Sequence, residues 1–400
     1  MKILMLSWEY PPRIVGGLSR HVYWLSHNIA KIGHRVYVGT LSVSDEEVIE
    51  EPSDNLTIIR INPYKIPSPD FISWVHQFNQ ILLEKIIDYP GSNIDIIHAH
   101  DWLVARAGII LKHLYRKPLI ATIHSTEYGR RNGLHNVFER HIHEIEWLLT
   151  YEAWKVIVCS NYMMQEVQRI FSTPIDKIHI IPNGVNPIKK MSKDEVRRVL
   201  EKYGIPPDKR IILFVGRLVY EKGAHILLEA IPRITSIVDD VFFVFVGTGP
   251  MKDYLLKRSI ELRVNNKVVF TGFVSDFELQ ALYNAAYVAV FPSLYEPFGI
   301  VALEAMSIGK PVIVSNVGGL SEIVVHGVNG LKVPPGDIES LANAIIELLS
   351  NPEHARKMGE EGFHIVYDKY TWDKIAEQTI SIYEKVLEEY AMSSWKPKRV

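Results

Sequence analysis

Two Rossmann-like, doubly wound α/β domains facing each other across a deep cleft are the fold this sequence predicts. Three observations lead there. The 400 residues exceed what one hydrophobic core holds. Short apolar runs of strand length alternate with longer runs of helical spacing, the order expected of parallel sheets covered on both faces. The alternation is broken once, at Pro182-Asn183-Gly184-Val185-Asn186-Pro187, where turn residues precede a charged helix. The boundary therefore falls between Pro182 and Lys209. We place the domains at residues 1–185 and 186–371, and read 372–400 as a C-terminal helix able to pack back across the first domain.

In the first half, Lys2–Ser7 reads as a buried-type strand. A Pro/Gly loop ending at Gly16-Gly17 follows, and helical spacing from Leu18 to Ile32 stops at Gly33, a residue suited to a left-handed cap. Further strands are predicted over Arg35–Thr40, Leu56–Ile61, Ile94–His98, Leu119–Ile123, Val156–Cys159 and Ile178–Ile181. Helices fit Pro69–Ile87, Leu103–Leu114 and Phe138–Trp154. After a helix over Lys193–Tyr203, the second series has strands at Ile211–Val215, Phe242–Val246, Val268–Thr271, Tyr287–Phe291 and Pro311–Val314. Its helices are Ala224–Ile234, Asp253–Arg263, Asp276–Ala285 and Ile338–Leu349, and the amphipathic Trp372–Tyr390 closes the chain. Sheets of this kind bind ligands beyond the C-terminal ends of their strands.

Composition narrows the function classes. A hydrophobic share of 47% with 22% charged residues suits a soluble globular protein, and a net charge of −2 gives no pull towards nucleic acid or anionic membrane. The single cysteine, Cys159, excludes an internal disulfide framework and a Cys-based zinc site. No run reaches the roughly 18 apolar residues of a membrane span, and the apolar start is too short for a signal peptide. A cytoplasmic location is the simplest expectation.

The richest motif is Glu296-Pro-Phe-Gly-Ile-Val-Ala-Leu-Glu304, a strand–loop–helix junction. A helix start offers unpaired N–H groups and a positive dipole end, a seat for a diphosphate. Gly299 lets a ligand approach the backbone. The two carboxylates would repel phosphate but accept hydrogen bonds from hydroxyls, and a nucleotide sugar carries both groups. Taken alone, the same pattern also fits an exposed helix with two solvated acids. Gly216-Arg217 through Lys222-Gly223 places two cations on a loop, apt for a leaving diphosphate, or else a solvated loop with Glu221 as partner. Gly247-Thr248-Gly249 reads as a plain turn, whereas Phe273 after Thr271-Gly272 is a stacking platform or a core residue.

In the first half, His98-Ala-His100-Asp101-Trp102 and His124 end strands. His-x-His is a metal pattern, yet strand-end or sugar-facing roles fit it better, and neither Asp-x-Asp nor His-Glu-x-x-His occurs. Asp101-Trp102 suits carbohydrate, and His124 alone reads most simply as structural. Gly16-Gly17 lacks the third glycine of a dinucleotide fingerprint, which argues against hydride transfer.

Together these motifs resemble glycosyltransferase family 4, retaining nucleotide-sugar transferases of the GT-B architecture. The likeness runs from Trp8-Glu9-Tyr10-Pro11-Pro12 to Tyr370-Thr-Trp372, and is most specific at Gly216-Arg217 with Lys222, Phe270-Thr-Gly-Phe273, Glu296 to Glu304, and Gly318-Gly-Leu-Ser-Glu322. Ala99-His-Asp-Trp-Leu-Val-Ala, Thr122 to Arg130 and Glu144-Ile-Glu-Trp-Leu look like the glycogen-synthase and maltose-1-phosphate-synthase branch. That branch moves glucose from ADP- or UDP-glucose to an α-1,4-glucan or to glucose 1-phosphate. The resemblance implies that Arg217 and Lys222 hold the diphosphate, with backbone donors at Phe298, Gly299, Ile300 and Gly17, beside Gly16. It gives Glu304 to the ribose, Glu296 to the transferred sugar, His124 to the anomeric centre, Asp101 to the sugar or acceptor, and Phe273 to the base. It implies no metal and no cofactor. Other readings are a family 4 mannosyl- or other transferase acting on a lipid or disaccharide, and a catalytically silent sugar-binding protein.

Overall fold

The computed structural model describes residues 1–44, 46–63 and 67–396. The chain forms two compact units, Met1–Gly184 together with the segment from Trp372 onward, and Val185–Thr371.

The first unit is built on an eight-stranded sheet. Its strands are β1 (Lys2–Leu6), β2 (Arg35–Leu41), β3 (Val48–Ser53), β4 (Leu56–Ile61), β5 (Ile96–His100), β6 (Leu119–Ile123), β7 (Lys155–Val158) and β8 (Ile178–Ile180), in the order 3-4-2-1-5-6-7-8. Its helices are α1 (Gly17–Lys31), α2 (Phe71–Asp88), α3 (Ala105–Tyr115), α4 (Glu127–Arg131), α5 (Val137–Glu152) and α6 (Asn161–Phe171), plus the C-terminal helix Trp372–Met392. All pairings are parallel except β3 with β4. The sequence pattern does not announce the edge strand β3. Val48-Ile-Glu-Glu-Pro-Ser is largely exposed and carries a proline, which an edge tolerates but which conceals the strand pattern.

Strand order reverses between β1 and β5, so the loops after these two strands diverge and leave a crevice at that switch point. One face of the sheet (Ile3, Met5, Val38, Ile96, Ile120) packs against Val22, Leu25 and Ile29 of α1 and against Ile375, Tyr383 and Val386 of the C-terminal helix. Each such apolar side chain contributes about 1.5–3 kcal/mol when fully buried. Side chains two apart on a strand share a face, so His98 and His100 follow Ile96 under these helices. The predicted strand Ile94–His98 is thus displaced by two residues. Asp95 instead binds Lys2 through both its backbone N–H and its carboxylate, and pairing with β1 begins at Ile96.

The second unit has a six-stranded, fully parallel sheet. Its strands are β9 (Arg210–Val215), β10 (Val241–Val246), β11 (Val268–Gly272), β12 (Ala286–Phe291), β13 (Val312–Ser315) and β14 (Gly330–Val333), in the order 11-10-9-12-13-14. The helices are α7 (Lys193–Lys202), α8 (Ala224–Ile237), α9 (Lys252–Glu261), α10 (Asp276–Ala285), α11 (Ile300–Ser307), α12 (Leu320–Ile323), α13 (Ile338–Ser350) and α14 (Pro352–Lys369). The switch point lies between β9 and β12. Helix α14 escapes the sequence pattern because its buried face includes Gly359 and Gly362. A Cβ at Gly359 would strike the carbonyl of Gly309, so close packing there removes the apolar signal. Among the described residues, no helix is long and apolar enough to cross a membrane.

Candidate active site

In the second unit, the loops after β9 and β12 meet at the switch point. Lys222 Nζ donates to Glu296 Oε2 at 2.7 Å, and Ser293 Oγ donates to the same oxygen at 3.2 Å. Arg217 lies 3.6 Å from Glu221. The sequence assigns Lys222 and Glu296 separate ligand roles. The structure joins them as an ion pair, and it pairs Arg217 with Glu221. An ionised carboxylate has about four acceptor positions, so Glu296 keeps capacity for hydroxyls.

Backbone contacts hold this loop. Gly223 has φ +72°, and a Cβ there would run into the carbonyl of Pro292, while Leu294 N–H donates to Glu221 O at 2.8 Å. On the other side, Leu218 N–H donates to Thr248 O at 2.8 Å, so Gly247-Thr248-Gly249 is a bracket for the Arg217 loop and more than a turn. Gly318, at φ +53°, lies against the carbonyl of Glu296 where no Cβ fits, and Gly319 N–H donates to that oxygen at 2.9 Å.

Helix α11 begins at Ile300 with no side chain capping its first turn, which leaves donors for an incoming acceptor. Gly299 has φ +111°, and a Cβ would collide with Leu320, so the fold itself also requires glycine there. Phe298 is buried edge-on against Tyr370. Glu304 is buried and accepts a hydrogen bond from Tyr283 Oη at 2.8 Å. Phe273 is 74% exposed just beyond β11, which rules out a core role and leaves a free aromatic face.

In the first unit, the loop after β1 is organised by Glu9. Its Oε2 accepts from Val15 N–H at 2.9 Å and Gly16 N–H at 3.0 Å, and burial pushes its pKa up. The N–H of Gly16, next to the expected donor Gly17, is therefore already engaged. Gly17 opens α1 without a side-chain cap.

Four histidines converge beneath α1 and the C-terminal helix. His98 is fully engaged, with Nδ1 2.7 Å from Tyr383 Oη and Nε2 2.7 Å from Thr122 Oγ1. His100 Nδ1 lies 3.3 Å from His124 Nε2. His21, on the buried side of α1, places Nδ1 2.7 Å from Asn183 Oδ1, and its ring centroid is 4.6 Å from that of His124. Burial holds His21, His98 and His100 well below the usual imidazole range and lowers His124 to about 3, so all four are neutral at pH 7. The sequence pattern offers His98 and His100 as a metal pair. The structure instead gathers His21, His100 and His124, with one ligand atom from each lying within 4.8 Å of the others.

Asp101 adopts φ +61°, a strained backbone for a non-glycine residue, and its Oδ1 accepts from His124 N–H at 2.8 Å. Burial raises its pKa to about 6, opposed by the backbone donors of His124 and Ser125 and by Arg130. That bond makes Asp101 a support for the His124 loop. Downstream, Thr126 caps α4 and donates to Glu166 at 2.6 Å, and Glu127 N–H donates to Glu146 at 2.9 Å. Arg130 bonds Glu127 at 2.9 Å and Ser125 at 2.7 Å. Sequence reasoning misses Glu9, His21, Asn183 and Tyr383. For His21 a signal exists, since helical spacing puts it beside Leu18, Val22 and Leu25 on the buried side of α1.

Residues 195–364 match the family Glycosyl transferases group 1, and residues 15–189 match Glycosyltransferase Family 4. An uncharacterized glycosyltransferase of Methanocaldococcus jannaschii is 41% identical over 391 residues, spanning 97% of this chain and 99% of its own. Glycogen synthase of Mycobacterium tuberculosis is 34% identical over 398 residues, with 96% and 94% covered. Among solved structures, sucrose-phosphate synthase of Thermosynechococcus elongatus is similar with a TM-score of 0.83 and 27% identity, covering 97% of this chain and 99% of that one.

Proposed function

The chain belongs to the group 1 glycosyl transferases, with a family 4 first half, and on that premise we propose a retaining transferase that moves glucose from ADP- or UDP-glucose to an α-glucan or to glucose 1-phosphate. The observation that carries the reading is the Lys222–Glu296 pair at the switch point, with Arg217 on the same loop as Lys222 and uncapped α11 following Glu296. A cation, a hydroxyl acceptor and free backbone donors are the groups a nucleotide sugar requires.

The diphosphate is assigned to Arg217, Lys222 and the first-turn N–H groups of α11. Glu304 takes the ribose hydroxyls, Glu296 the hydroxyls of the moving sugar, and Phe273 the base. In the first unit His124, neutral and partly exposed, takes the sugar, while Asp101 fixes the backbone that presents it. The bond from C1 to the diphosphate oxygen breaks with oxocarbenium character, and the nucleoside diphosphate leaves with the bonding pair. The acceptor oxygen then bonds to C1 on the same face, and its proton passes to the departing phosphate. The cations and the helix dipole supply the positive charge this departure needs, so the transfer is proposed to require no metal and no cofactor.

The glucosyl assignment is supported by the likeness to glycogen synthase. Likeness to sucrose-phosphate synthase favours a small phosphorylated sugar as the second acceptor reading. The test is a screen of ADP- and UDP-glucose against glycogen and glucose 1-phosphate, with the new linkage read by anomeric NMR. An α-linked product is expected. No turnover in any pairing would overturn the glucosyl reading, and a β-linked product would overturn retention.

A further inference from the structure

We propose that His21, His100 and His124 form a binding site for one transition-metal dication of the imidazole-preferring class, zinc being the representative ion. Nothing in the transfer chemistry calls for this site, and its ligands come from three separate elements: α1, β5 and the loop after β6.

The three rings offer one nitrogen each within 4.8 Å of one another. Zinc–imidazole bonds of about 2.0–2.1 Å in tetrahedral geometry separate two ligand nitrogens by about 3.3 Å. His100 Nδ1 and His124 Nε2 already stand 3.3 Å apart, so modest ring rotation brings the third into place. His21 is buried, and its Nε2 has no hydrogen-bond partner among the described residues. Buried polar atoms are nearly always satisfied, so an orphaned nitrogen in this cluster points to an occupant.

The chemistry around the rings favours a cation over a second proton. Asn183 Oδ1 accepts at His21 Nδ1 at 2.7 Å, which places the proton there and turns the Nε2 lone pair inward. Burial keeps the imidazoles neutral, the state that ligates metal. His124 is partly exposed, so solvent reaches the cluster through it. Three neutral nitrogens favour zinc, nickel or copper over magnesium or calcium, which prefer oxygen.

Occupancy would tie up a ring nitrogen of His124, so a bound ion should inhibit transfer. This consequence rests on the role proposed for His124, whereas binding does not.

The test uses the full chain stripped of metal and titrated with zinc by calorimetry and with cobalt by visible absorption. One ion per chain is expected, with the intense cobalt bands of a low-coordinate, nitrogen-ligated ion. His21→Ala and His100→Ala should abolish both signals, with folding checked by circular dichroism. Asn183→Ala leaves the ligands intact and should weaken zinc roughly 10–100-fold through loss of the outer hydrogen bond. It serves as the decisive variant should the histidine variants misfold. Absence of stoichiometric binding, a weak octahedral cobalt spectrum, or zinc affinity unchanged by Asn183→Ala would each overturn the site. Stoichiometric binding that leaves transfer untouched would instead sink the sugar-facing role of His124.

Discussion

Replacing Lys222 by methionine separates a structural contribution from a chemical one. The substitution keeps an unbranched apolar stem and removes the ammonium 2.7 Å from Glu296 Oε2. At that distance and an effective dielectric of 20, the gross attraction is about 6 kcal/mol. Desolvation of both ions offsets much of it. Removing one partner of a fully buried pair costs about 3–5 kcal/mol, and water still reaches this one, with 21% of the Lys222 side chain and 11% of Glu296 exposed. A loss of about 2 kcal/mol is the resulting expectation. For a unit the size of Val185–Thr371 that corresponds to a fall of roughly 4–8 °C in melting temperature. Adding Glu296→Gln removes the stranded charge while Ser293 Oγ can still donate, so the double variant should melt close to the wild type. Turnover behaves differently. Loss of the diphosphate cation should lower kcat roughly 10²–10³-fold in the single and the double variant alike. Calorimetry and initial rates with either glucose donor provide the two readouts. Recovery of turnover in the double variant would refute the assignment, since Lys222 would then act only by neutralising Glu296.

Three further outcomes are expected. Gly223→Ala must push against the Pro292 carbonyl from a left-handed backbone, so transfer should fall at least about tenfold, and the second unit should lose roughly 1–3 kcal/mol in chemical denaturation. Phe273→Ala should raise the KM for donor roughly tenfold with kcat little changed, because an exposed ring that stacks on a base contributes about 1–3 kcal/mol to binding; an unchanged KM would remove Phe273 from the site. The pH dependence of the first unit has two opposed signs. Its buried histidines are depressed, so the unfolded chain binds more protons, and stability is complete above pH 6.5 and lost as pH falls towards 3. Glu146 is raised to about 8 by burial, so the folded chain binds the extra proton and that contribution fades as pH rises from 4.5 to 8. Melting of Glu146→Gln should therefore lose the alkaline decline and keep the acid one.

The two α/β series are legible because their signals are local. Helix α10 matches its sequence pattern at both ends, and a capping box of Ser275 with Glu278 marks its start. Arg217, Lys222 and Glu296 are legible as charge types at strand ends, because such positions are exposed to ligand by topology. Their pairing is not, since Lys222 and Glu296 are 74 residues apart and meet only when β9 and β12 become neighbours. The histidine cluster stays hidden for the same reason. His21 reaches Asn183 over 162 residues and His98 reaches Tyr383 over 285, through helices whose placement no local pattern encodes. Glycines are legible as punctuation but not in their packing: a Cβ at Gly299 would strike Leu320, and one at Gly318 the carbonyl of Glu296.

Both units place their polar groups at the same topological point, yet by opposite electrostatic means. In the second unit Arg217 and Lys222 are exposed enough to meet an anion and are held in advance by Glu221 and Glu296. A carboxylate partner keeps each cation in one place, and an arriving diphosphate can share or replace it without reorganising the backbone, which glycine contacts have fixed. In the first unit the four clustered histidines are buried or half-buried and uncharged. Neutral imidazoles make a poor seat for a diphosphate, whereas a ring nitrogen not engaged within the protein, unlike the two of His98, can meet a hydroxyl. The strained Asp101 holds the loop of His124, and Glu146, Arg130 and Glu166 hold the Ser125–Glu127 segment beyond it. Charge compensation should therefore rescue stability in the second unit, as in the Lys222–Glu296 cycle. Within the histidine cluster only geometry can do so, and swapping one neutral hydrogen-bonding residue for another at His98 or His100 has no charge to restore.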